Sequence, residues 1–146
     1  MELLNAIEQN TSVFVDTAAW IALLITRDEL HAQATGVMQK LRGKNAKLVT
    51  SESVLSEFAN ALSPVKNRQK AVSFIDVLRS LANIEIIYSN SELFDKSLKL
   101  YRERFDKEWS LTGCASFVIM NETQIKYAFT SDKHFEQAGF TKLLET

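Results

Sequence analysis

The stretch Ser12-Val13-Phe14-Val15-Asp16-Thr17-Ala18-Ala19-Trp20 is a short apolar run that halts at an acid and resumes as small and apolar residues. Its β-branched and aromatic start predicts a strand, and residues 17–25, nearly all apolar, predict a buried helix. A strand that passes straight into a helix is the unit of an α/β fold, and the rest of the chain repeats it. Further strands are expected at residues 84–88 and 125–130, with shorter ones at 47–50 and, as a last edge strand, at 141–144. Helical patterns lie between them at 28–41, 51–62, 65–81, 91–104 and 112–121, and a short turn follows Asp132. Leu30, Ala34, Val37, Met38 and Leu41 share one face of the 28–41 segment, and Pro64 separates the third and fourth helices. Strands alternating with helices imply a small parallel sheet covered on both faces, a three-layer α/β/α sandwich.

The bulk numbers bound the function. A chain of 146 residues suits a single domain, 1–146. A net charge of −1 gives no global attraction to nucleic acid or membrane, so any RNA site must be a local patch. The lone cysteine, Cys114, rules out an internal disulfide and fits a reducing cytoplasm. The first ten residues carry acids where a signal peptide needs bases, and no apolar run is long enough to cross a bilayer. The expectation is a soluble cytoplasmic domain.

In open parallel sheets ligands bind beyond the carboxyl ends of the strands, which directs attention to the residues just after each one. Asp16 ends the first strand and Asp132 follows Phe129-Thr130-Ser131; taken singly, each reads as a helix cap worth about 1 kcal/mol. Glu57 sits beside Ala61 at the margin of the stripe formed by Val54, Leu55, Phe58, Ala61 and Leu62, with Ser53 and Asn60 on the same flank. Taken jointly, the three acids converge if the strands bearing the two aspartates are neighbours. Converging carboxylates repel unless a proton or metal neutralises them, and oxygen ligands without histidine or cysteine favour Mg²⁺ or Mn²⁺. Such a site activates water for phosphodiester cleavage.

Other side chains carry less. His31 and His134 share no zinc-ligand spacing; His31 reads as surface and His134 as a partly exposed turn residue. Cys114 reads as a small core residue, and Thr17 and Ser131 as caps whose hydroxyls are also placed to orient carboxylates. Lys66, Arg68 and Lys70, with Arg102, Arg104 and Lys107, are the basic candidates for a phosphate backbone, though their alternation with polar residues suits a solvated face. Trp20 and Trp109 suit core or partner surface equally. A phosphatase of the haloacid-dehalogenase type would want an acid at Ala18. A phosphorelay receiver needs a paired acidic start, and a dinucleotide or P-loop fold needs a glycine-rich turn where Thr17-Ala18-Ala19 stands.

Five segments in this order and spacing resemble the PIN-domain ribonucleases, and in particular the VapC-type toxins of bacterial toxin–antitoxin pairs. They are Val13 through Trp20, Asp28-Glu29-Leu30-His31, Thr50 through Glu57, Trp109-Ser110-Leu111-Thr112, and Phe129 through Phe135 with Ala138-Gly139-Phe140 behind it. The resemblance implies a PIN-like sandwich and a metal-dependent endoribonuclease. It places Asp16 and Glu57 at the family's first two acidic positions and Asp132 at the last, as catalytic residues and metal ligands. The remaining acid belongs at the head of the 112–121 helix, and there this chain has Gly113. Glycine offers no side-chain ligand, so the resemblance implies an Mg²⁺- or Mn²⁺-dependent activity weakened or lost at that position. Asp106 and Glu108, just upstream, are the conceivable stand-ins. The resemblance also implies a homodimer and a VapB-like antitoxin partner seated in the active-site groove. The alternative is a catalytically inactive PIN module that still binds antitoxin or RNA.

Overall fold

A computed structural model describes residues 2–146. After a short helix α1 (Glu2–Ala6), strand β1 (Ser12–Val15) leads into α2 (Thr17–Leu24) and α3 (His31–Gly43). Strand β2 (Lys47–Ser51) follows, then α4 (Glu52–Ala61), α5 (Val65–Ser80) and β3 (Ile84–Ile87). The last part comprises α6 (Ser91–Glu103), α7 (Leu111–Glu122), β4 (Tyr127–Phe129), α8 (Lys133–Gln137) and β5 (Thr141–Lys142). The five strands form one sheet in the order β3-β2-β1-β4-β5, every neighbouring pair parallel. Phe14 is matched with Val49 on one side and Ala128 on the other, so β1 is the central strand.

Central position explains its composition. Val13, Phe14 and Val15 are fully buried, because a strand covered on both faces has no solvent side to give to polar residues. The two faces have separate aromatic cores. Trp20 of α2 meets Phe74 of α5 edge-on at 5.7 Å, and Phe74 leans on Phe58 of α4 at 5.3 Å. On the other face Phe14 stacks with Phe135 of α8 at 6.5 Å. Phe135 is edge-on to Phe117 of α7 at 5.0 Å, and Phe117 also packs on Trp109 and Phe140. The expected three-layer α/β/α arrangement is therefore present. Both tryptophans are core residues, with Trp20 Nε1 donating to Thr50 Oγ1 at 3.2 Å.

Helix starts are written in short polar side chains. Ser51 caps α4 by accepting the Val54 amide, Asn90 caps α6 through the Leu93 amide, and Ser110 caps α7 through the Gly113 amide. Three expectations shift. The helix expected from Asp28 begins at His31, since the Asp28 carboxylate accepts the Leu30 amide at 2.9 Å and closes a local turn instead. The helix expected from 112 begins at Leu111, so Gly113 is its third residue. Ala61, placed on the buried stripe of α4, ends that helix in solvent. Helix α1 was not anticipated; five residues are too few to show a period.

Candidate active site

The connections run outward from β1 through β2 to β3, then return to β4 and β5 on the opposite side. The switch in direction falls between β1 and β4, where open parallel sheets form their ligand crevice at the carboxyl ends. Asp16 directly follows β1 there, and Asp132 lies three residues beyond β4. From one side α4 and α7 approach each other across this edge. Between them lies a polar groove of about 380 Å³ lined by Glu52, Ser53, Ser56, Glu57 and Asn60 of α4, by Ser89, and by Thr112 of α7. The flank read from the sequence as carrying Ser53, Glu57 and Asn60 is thus the wall of a groove.

Each acid is held differently. Asp16 is buried, with 9% exposure, and its Oδ2 accepts the Thr130 hydroxyl at 2.9 Å. Thr130 Oγ1 in turn accepts the Asp132 amide at 3.1 Å, which links the two strand ends. Glu57 reaches out from α4 and its Oε1 accepts the Thr17 hydroxyl at 2.7 Å. Asp132 caps α8, its Oδ1 accepting the His134 amide at 2.9 Å with His134 Nδ1 3.2 Å away. Thr17 therefore orients Glu57, as a hydroxyl beside the first aspartate was placed to do. The hydroxyl that holds Asp16 belongs to Thr130 rather than Ser131; it sits at the strand end, pointing inward, and sequence reasoning had no signal to prefer it.

The electrostatics follow from burial. The Asp16 carboxyl is pushed up from 3.8 to about 6, first by desolvation and then by repulsion from Glu57 and Asp132, against the pull of the Thr17 amide and the Thr130 hydroxyl. Among the described residues no lysine or arginine pairs with Asp16, Glu57 or Asp132; His134 is the one basic group in contact with the set. A buried acid that two other acids raise further, without a basic partner, has the electrostatics of a cation site. No three Asp, Glu, His or Cys side chains among the described residues form a ready-made cage around one point. Mg²⁺ does not require one, because it keeps several waters and uses one or two carboxylates. The all-oxygen donor set thus fits Mg²⁺ or Mn²⁺ in type and does not fit zinc.

Gly113 follows Thr112, a wall of the groove, in the first turn of α7. A Cβ built on it would come 3.1 Å from Ser110 Oγ and 3.9 Å from Phe117, so a side chain fits once the serine hydroxyl yields slightly. Neither candidate stand-in takes its place. The Asp106 carboxylate is tied to Arg104 by bonds of 2.9 and 3.0 Å, and Glu108 lines a separate pocket on the α6–α7 loop. His31 is half-buried, its Nδ1 2.7 Å from the Ala22 carbonyl, rather than a surface group. Cys114 is fully buried, as read. No helix among the described residues is long and apolar enough to cross a membrane.

Comparison with known proteins gives the same outline. The PIN-domain profile matches residues 13–141. The chain is 25% identical to the 23S rRNA-specific endonuclease VapC20 of Mycobacterium tuberculosis over 131 residues, 90% of this chain and 97% of that protein. The crystal structure of that Sarcin-Ricin loop cleaving toxin superposes with a TM-score of 0.76 over 88% of this chain and 96% of the other. The structure of VapBC2 from Rickettsia felis bound to a promoter DNA fragment, 15% identical, gives a TM-score of 0.67 over 90% of this chain and 97% of that one.

Proposed function

The chain belongs to the PIN-domain family, and from that premise we propose that it is a VapC-like toxin whose Asp16, Glu57 and Asp132 form a metal-dependent endoribonuclease site, weakened at Gly113. The observation that carries the reading is the buried Asp16, raised to about 6 beside two further acids at the sheet's switch point. The endonuclease named among its relatives supports RNA as the substrate. Asp16, Glu57 and Asp132 would hold Mg²⁺ or Mn²⁺, which when bound lowers the pKa of a coordinated water and offsets charge on the phosphodiester. The chain's own part is preorganisation. Thr130 fixes the Asp16 rotamer, Thr17 fixes Glu57, and the first turn of α8 fixes Asp132. The polar groove at Glu57 gives the sugar–phosphate backbone hydroxyl and amide partners at Ser53, Asn60 and Thr112.

A second reading is favoured by Gly113 itself: an inactive PIN module that keeps its groove for an antitoxin or for RNA. The VapBC2 structure among the structural neighbours supports a VapB-like partner, and a homodimer working in the cytoplasm is what the family resemblance implies. The discriminating experiment compares this chain, Gly113→Asp and Asp16→Asn for Mg²⁺- or Mn²⁺-dependent cleavage of a mixed RNA pool. Cleavage restored or raised by Gly113→Asp and abolished by Asp16→Asn supports the nuclease. If all three fold and none cuts, the binding module replaces it.

A further inference from the structure

Resting on the nuclease reading, we propose that the last turn of α6 and the loop that follows it carry a nucleobase-binding platform that holds one unpaired RNA base beside the carboxylate site through Tyr101 and Phe105. Phe105 is 84% exposed and Tyr101 45%. An exposed phenylalanine alone says little; its frame says more. Phe105 lies between Arg104 and Asp106, which are locked together through two charge-assisted hydrogen bonds. The Arg104 guanidinium also stands over the Trp109 ring, 4.9 Å from its centroid. Trp109 is buried edge-on against Phe117 at 5.0 Å, and its Nε1 donates to Gln137 Oε1 on α8 at 3.0 Å. The loop is therefore anchored to both α7 and α8 through its buried Trp109, while its other aromatic side chain, Phe105, faces solvent.

Beside that side chain is a pocket of about 310 Å³ whose walls include Tyr101, Arg104, Trp109 and Ser110. Ser110 on its wall stands two residues before Thr112, which lines the polar groove at Glu57, so the pocket and the groove adjoin along the first turn of α7. Its charges cancel: Arg104 is matched by Asp106, and Lys107 shares the lining with Glu108. A near-neutral pocket has no particular attraction for phosphate. Aromatic and guanidinium walls suit a flat π-system, the way single-stranded RNA bases are held. Aliphatic walls, which would suit a leucine or valine of a protein partner, are lacking on this lining.

The test is fluorescence anisotropy with a short unstructured RNA, in Ca²⁺ in place of Mg²⁺, with gel analysis showing that the RNA stays intact. Phe105→Ala is expected to weaken binding roughly tenfold, the scale of one lost stacked base, with an unchanged melting temperature. Phe105→Trp should bind as the parent does. RNAs with a single abasic position should include one that binds roughly tenfold worse to the parent and no worse to Phe105→Ala than intact RNA does. Parent-like RNA binding by Phe105→Ala overturns the platform alone. Unchanged RNA binding with an altered elution volume on size exclusion makes Phe105 a protein-contact residue and overturns it too. A parent chain that binds no RNA sinks both this proposal and the nuclease reading.

Discussion

Asp16→Asn should make the metal-free protein more stable at neutral pH and remove its stabilisation by metal. The folded chain holds the Asp16 proton up to about pH 6, whereas the unfolded chain releases it near 3.8. Between those values the native state binds the extra proton, so stability falls as pH rises. The contribution is present in full below the unfolded pKa and is gone above the folded one. A difference of about two pKa units corresponds to about 3 kcal/mol at pH 7.5. Asparagine keeps an oxygen for the Thr130 hydroxyl and carries no charge. In a chain of this size the gain translates to a melting temperature higher by roughly 6–12 °C at pH 7.5, shrinking toward zero at pH 4. Thermal melts of both proteins in EDTA across that range measure it. Adding Mg²⁺ should raise the parent's melting temperature and leave the variant's unmoved. A gap that does not change with pH, or a variant less stable than the parent at pH 7.5, would refute the burial argument.

Thr130→Val removes the donor to Asp16 and leaves the Asp132 amide without its acceptor, so urea melts at pH 7 should show a loss of about 1–3 kcal/mol. Ser110→Ala uncaps α7 and should cost about 1 kcal/mol, read by the same melts. Phe117→Ala opens a hole among Trp109, Phe135 and Phe140; a loss of about 3–5 kcal/mol and a weaker near-UV signal from Trp109 are expected. Gly113→Asp should change metal-free stability by less than about 1 kcal/mol at pH 7. An acid in the first turn gains from the helix dipole while it loses by repulsion from the cluster.

The sheet was legible because its strands are brief apolar runs with polar ends; all five expected strands form, and even the two-residue β5 falls inside 141–144. Asp16, Glu57 and Asp132 were legible as types and positions, since a carboxylate after a strand or on a helix margin leaves a local trace. Thr130 was not, because nothing local tells an inward hydroxyl from a capping one; the distinction arises only when β4 lies beside β1. The start of α3 differs from the expected one for a related reason: Asp28 can cap a helix or close its own turn, and the Ile25 carbonyl that accepts its amide decides for the turn. In the α6–α7 loop the sequence singles out the charges and Trp109; the pairing of Arg104 with Asp106 and the burial of Trp109 leave Phe105 as the exposed feature.

The hydroxyl that holds Asp16 comes from a residue 114 positions later in the chain. At roughly 5–20 residues per second on the ribosome, that separation is on the order of ten seconds of synthesis. From the synthesis of β2 onward β1 can pair with it, while its other edge, which will take β4, stays open. A nascent chain thus has a sticky apolar edge but no assembled carboxylate cluster, which forms only once β4 has left the exit tunnel. If the cluster cuts RNA, the machine translating it is exposed to a finished nuclease and never to a half-made one.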